Sequence, residues 1–127
     1  MATSPQYAAV PLSPAVLLST ANPNRDGTGA VVQLVPMSTN GSRVDDIAIQ
    51  AQGITSAGMV RFFLKRASSF FLLQEVVVAA QTPSATDLAF SARLLNLAWI
   101  LDPTSELYVA TEKAEAIAVL VTRGGAL

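Results

Sequence analysis

The sequence predicts an all-β fold, a single antiparallel β-sandwich or β-barrel, and three observations predict it. Seven short apolar segments follow one another about every 8–14 residues. Each is bounded by clusters of Gly, Pro, Asn, Asp or Ser, the residues that favour turns. Strand-length and helix-length segments do not alternate, so the βαβ rhythm of a parallel sheet is missing.

The first strand is "AVVQLVPM" (30–37), entered from the turn-rich "NPNRDGTG" (22–29) and ended by Pro36. Asn40-Gly41 follows, a pair that tolerates φ > 0 and is favoured in tight hairpins. "RVDDIAIQAQ" (43–52) then places Ile47, Ile49 and Ala51 on one face, which predicts a half-buried strand paired with the previous one. In "MVRFFLKRA" (59–67), Val60, Phe62 and Leu64 alternate with Arg61, Phe63 and Lys65. "SSFFLLQEVVVAA" (68–80) is apolar on both faces, too much so for a solvated edge, and Ser68-Ser69 predicts the tight connection between these two strands. The segment 87–103 fits a helix capped by Asp87, with Leu88, Ala92, Leu95 and Trp99 at helical spacing. It also fits a strand with Phe90, Ala92 and Leu94 on one side, and its strand-like neighbours favour that reading. The last two strands are 107–110 and 116–122, the latter with Ile117, Val119 and Val121 on one face, joined by "TEKAE".

Composition limits what such a domain does. The chain has 127 residues, enough for one domain, with 51% hydrophobic and only 13% charged residues, about half the usual quarter. A monomer of this mass exposes roughly 6,500 Å², so each charged side chain is left to serve roughly 400 Å². Part of that surface is therefore expected to be protein–protein interface. The net charge of −1, without a basic stripe, gives nucleic-acid binding no electrostatic source. Arg61, Lys65, Arg66 and Glu75 interrupt the central apolar region, so no membrane span is expected. At the N-terminus, no Lys or Arg precedes an apolar part that proline breaks up, which does not fit a secretory signal.

The chain has no His and no Cys, which removes the commonest general base, the commonest metal ligand and the thiol nucleophile. Asp45-Asp46 are adjacent, so a regular strand turns them to opposite sides. Asp26, Asp45 and Asp46 lack the spacing of a calcium loop. Gly27 and Gly29 lack the lysine and the helix of a phosphate-binding loop. The expectation is a protein without catalytic residues, cofactor or metal. Phe62, Phe63, Phe70, Phe71 and Trp99 are read as core, with a sugar platform as the alternative.

Residues 1–24 carry no charge, and prolines 11, 14 and 23 break them up. Val10, Leu12, Val16, Leu17 and Leu18 are too apolar for a solvated tail. We expect residues 1–21 to form an extended arm that binds a neighbouring protein through these five side chains, and residues 22–127 to form the β-rich domain. The alternative is that a first strand starts near Val10 and pairs with a sheet edge of its own subunit.

"ANPNRDGTGAVVQLV", "NGSRVDDIAIQAQGITSAGMVRFFL" and "LYVATEKAEAIAVLVTRGG" together resemble small virion proteins of tailed bacteriophages. The resemblance rests on Asn24, Arg25, Asp26, Gly27, Thr28 and Gly29; on Asn40, Gly41 and Arg43; on Ala57 to Leu64; and on Thr111, Gly124 and Gly125. It covers most of 21–125 and departs at "RLLNLAWILDPTSE" and in the arm. It implies a jelly-roll-like or tulip-like β-domain acting as a capsid decoration (cement) protein on the virion surface. The implied partners are the major capsid protein and further copies of the chain, as a homotrimer. A tail, baseplate or head-fibre component and a carbohydrate-binding adsorption module are the alternatives.

Overall fold

A computed structural model describes residues 10–11 and 14–127. Among them are ten strands and no helix: β1 (Val10–Pro11), β2 (Ala15–Leu18), β3 (Val32–Val35), β4 (Ser42–Ala51), β5 (Gly58–Arg66), β6 (Ser69–Val78), β7 (Ser91–Leu94), β8 (Trp99–Leu101), β9 (Ser105–Thr111) and β10 (Ile117–Ala126). They form two antiparallel sheets. In sheet A, β10 lies between β4 and the pair β1/β2, and β7 and β8 share the far side of β4. Sheet B runs β3-β9-β5-β6. The protein is thus a single-domain β-sandwich.

The period-2 pattern decides what lies between the sheets. Ile117, Val119 and Val121 of β10 and Val44, Ile47 and Ile49 of β4 face Val60 and Phe62 of β5 and Leu107 and Val109 of β9 across one core. Trp99 closes one side of it, edge-on to Phe62 with ring centroids 6.0 Å apart. Strand wins over helix in 87–103 because Phe90, Ala92 and Leu94 alternate into this core while Ser91 and Arg93 point away. Asp87 caps no helix and instead ends a turn in which its N–H donates to the Ser84 hydroxyl. The expected single strand is broken in two at residues 95–98, where Asn96 and Ala98 take φ of 56° and 51°.

Two expectations about pairing are corrected. The strands on either side of Asn40-Gly41 do not form a hairpin, since β3 belongs to sheet B and β4 to sheet A. Gly41 does turn the chain at φ +84°, but a Cβ there would stand 2.4 Å from the Leu101 carbonyl oxygen. Its own carbonyl accepts the N–H of Leu127. The turn therefore closes the end of sheet A, and the chain crosses between layers. The second correction concerns β6. It lies at the edge of sheet B, where among the described residues no strand pairs with its outer side.

The β5–β6 hairpin turns one residue earlier than expected. Arg66 pairs with Ser69, leaving Ala67 and Ser68 as a two-residue loop at φ 50° and 73°. Positive φ at both positions suits a type I′ turn, for which Asn-Gly is the preferred pair. Ala67 and Ser68 have no such preference, and a left-handed L-residue costs about 1–2 kcal/mol. The double substitution Ala67→Asn/Ser68→Gly is therefore expected to stabilise the domain by about 1–2 kcal/mol. A thermal midpoint that stays level or falls would count against this reading of the turn.

Candidate partner-binding surface

The arm residues come first. β2 pairs antiparallel with β10, with Leu18 opposite Ile117, Leu17 opposite Ala118 and Val16 opposite Val119. Leu18 is consequently 2% exposed and part of the core, and Val16 packs against it from a half-buried position. Leu17 points the other way and is 52% exposed, and Val10, paired with Ala126, is 54% exposed. Leu12 lies outside the described residues. Over 15–18 the chain is thus an edge strand of its own subunit, so the expected boundary between arm and domain at residue 21 does not separate them. The physical reason is register: β10 is apolar on its inner face and needs a neighbour on its free side, and Val16 and Leu18 supply the matching alternation. Of the four described residues, Val10 and Leu17 are the two left facing solvent.

The larger apolar surface is β6. Phe71, Leu72, Leu73 and Val77 are 53%, 39%, 37% and 67% exposed on a strand whose backbone edge is also free. The sequence showed too much apolar surface for an edge, and the structure places it at one. No Lys, Arg or Pro guards the strand, although charges and prolines are the usual protection of such edges. A bulge at Leu73, opposite the Phe62–Phe63 step, splits it into two runs.

Beside β6, residues 22–30 form a strap over the outer face of sheet B. Asn22 anchors it. Its N–H donates to the Thr111 carbonyl at 2.8 Å, and its buried side-chain amide donates to the Thr28 and Ala30 carbonyls at 2.9 and 3.0 Å. Its Oδ1 accepts the N–H of Asn24. Gly27, at φ +87°, lies directly on Phe70, where an added Cβ would be 2.3 Å from the Phe70 Cβ. Phe70 in turn meets Phe63 and Tyr108 edge-on, at 6.3 and 5.4 Å, and the Lys65 ammonium sits 5.5 Å from its ring centre. Phe63 is fully buried, yet it does not belong to the core between the sheets.

The strap is also held by charge. Glu75 Oε2 accepts from Arg25 Nε at 2.7 Å and from Arg61 Nε at 2.8 Å. These hydrogen bonds, from Arg25 first and then Arg61, hold the Glu75 carboxyl below its ordinary value, against a smaller opposing effect of desolvation. Arg61 is 3% exposed, its Nη1 has no partner, and its next carboxylate, Glu112, is 4.0 Å away. Sequence reading placed Arg61 with Phe63 and Lys65 on the strand face opposite Val60, Phe62 and Leu64. The signal for its burial was its position between Val60 and the Phe62-Phe63 pair.

The three aspartates do not meet. Asp26 folds back on Thr28 within the strap, on the far side of sheet B from β4, where Asp45 and Asp46 lie. Asp45 pairs with Arg43 at 2.9 Å. Asp46 pairs with Arg123 and accepts the Asn96 N–H, next to an irregularity in the β4–β10 register. No protein-family model matches the chain, and no curated protein matches it.

The two faces of β2 give a clean comparison. Leu18→Ala is expected to cost about 2–5 kcal/mol, as buried leucine truncations do, whereas Leu17→Ala stays within about 0.5 kcal/mol. Equal losses in chemical denaturation would show that β2 does not hold this register.

Proposed function

We propose that the chain is a non-enzymatic virion structural protein of a tailed bacteriophage, a decoration protein that docks on the outer capsid shell and stabilises contacts between major capsid subunits. The observation that carries this reading is β6, a free and unguarded strand edge with four large apolar side chains in solvent. Large apolar side chains left in solvent along one edge mark an interaction site, and an open edge accepts a further strand through its backbone. The resemblance to small phage virion proteins supplies the partner. Its motif residues fall on the strap (Asn24 to Gly29), the Gly41 turn, β5 and the end of β10, which are places where the fold itself is fixed.

As a cement, the protein works as a staple. Each copy touches more than one capsid subunit, so apolar burial is completed only on the assembled lattice. Association of copies as a homotrimer multiplies the contacts, since linked sites bind as one. The exposed Val10 and Leu17 of the N-terminal edge add a second contact.

Copy number in purified particles tests the assignment. A ratio near one per major capsid subunit is expected. A few copies per particle would replace it with a tail or fibre component, and retention on glycans with a low ratio would replace it with an adsorption module. Introducing charge on the outward side of β6, as Leu72→Glu/Val77→Glu, is expected to abolish capsid binding while the thermal midpoint moves little. Unchanged binding would remove β6 from the interface.

A further inference from the structure

We propose that residues 22–30 are a releasable strap pinned by the Glu75 carboxylate, and that loss of the charge on Glu75 opens it and uncovers the Phe63–Phe70–Tyr108 cluster on the outer face of β5, β6 and β9. This inference is independent of the capsid reading.

The argument starts from Arg61. A buried guanidinium is tolerated only when it is paired, because the desolvation it suffers is otherwise uncompensated. Arg61 is almost wholly buried and already has one nitrogen without a partner. Its single short ionic contact is with Glu75. The same carboxylate oxygen holds Arg25 of the strap. Neutralising Glu75 therefore does two things at once. It removes the bond that ties the strap to β6, and it leaves two guanidiniums close together with only Glu112, at 4.0 Å, to offset them. Water can reach Arg61 if the strap lifts, which relieves the buried charge.

Little else resists lifting. Asn22 anchors the ends of the strap through Thr28, Ala30 and Thr111. Between them, Gly27 is the one buried residue, and it lies on Phe70. The charged groups around the pin are Arg61 from β5, Arg25 and Asp26 from the strap, and Glu112 and Lys113 after β9, with Lys65 over Phe70 and Tyr108. The direction follows from linkage. A carboxyl held below its ordinary value of 4.5 keeps the strap closed above that value, and the closure is lost as pH falls through the lowered one.

Gly27 reports the state directly, since it lies on an aromatic ring. The test is a pH titration of the full chain by NMR, following the Gly27 resonances and their contact with the Phe70 ring. The expected result is loss of that contact in acid, with the midpoint of the Glu75 carboxyl carbon. Glu75→Gln should show an open Gly27 at pH 7 with no pH dependence. Arg25→Gln cuts the same tie from the strap side and leaves Arg61 paired with Glu75, so it should also show an open Gly27 at pH 7, and it decides the matter if Glu75→Gln does not fold. Persistence of the Gly27–Phe70 contact in Glu75→Gln would overturn the proposal. So would a Gly27–Phe70 contact that persists at pH 7 in Arg25→Gln but is lost in Asp26→Asn.

Discussion

Burial of β5 on both faces is the constraint from which the arrangement of this domain follows. Val60 and Phe62 point into the space between the sheets, and Arg61 and Phe63 point out of it, yet all four are at most 3% exposed. A strand in a two-layer sandwich normally keeps one face wet. Here the outward face needs a cover, and the turn-rich stretch before β3 provides it. The cover must pass close to Phe70, which requires Gly27, and it must meet the Glu75 carboxylate of β6 that pairs Arg61, which it does through Arg25. The residues of "NRDGTG" look like a ligand loop when read as a string. Their chemistry is that of a lid fixed to its own sheet.

That constraint also shapes β6. The strand supplies Phe70 and Glu75 to the outer face and Val76 and Val78 to the inner side, and so it is apolar in both directions. It has to lie next to β5, and β9 already takes the other side of β5. An apolar strand is thereby forced to an edge. The usual remedies for an exposed edge, a lysine or a proline, would disturb the very pairs that cover β5. What is left is a bulge at Leu73 and a row of apolar side chains in water, a surface that costs solubility unless a partner covers it.

Alternation made most of the fold legible. The inward rows of β4, β5 and β10 can be read residue by residue, because a strand's period is 2 and each row is buried on one side. Which strands pair could not be read the same way. Asn40-Gly41 is a strong hairpin signal, but the signal is only for backbone with positive φ, and here that backbone closes a sheet end and lets the chain change layers. The N-terminal strand stood only as the alternative to an arm, because prolines and a lack of charge describe an arm and an edge strand equally well. The candidate binding surface was half legible: the excess of apolar residues in 70–80 was visible, its place at an edge was not. The role of Arg61 depends on a cover contributed by residues about 35 positions earlier, a contact to which local pattern is blind.

The two candidate contact edges differ in how firmly they are held. At the N-terminal edge of sheet A, Leu18 ties the strand into the core, so Val10 and Leu17 are presented on a backbone already paired with β10. At β6 the backbone itself is open, and part of the apolar material next to it is covered by a strap held through one carboxylate. A partner meeting the first site gains side-chain burial and the few main-chain hydrogen bonds that a four-residue edge strand offers. A partner meeting the second finds a ten-residue edge, with more main-chain hydrogen bonds to make and more apolar area once the strap lifts. The sheet B edge is therefore where binding has most free energy to gain, and the ionic pin at Glu75 limits how much of that gain the free protein exposes beforehand.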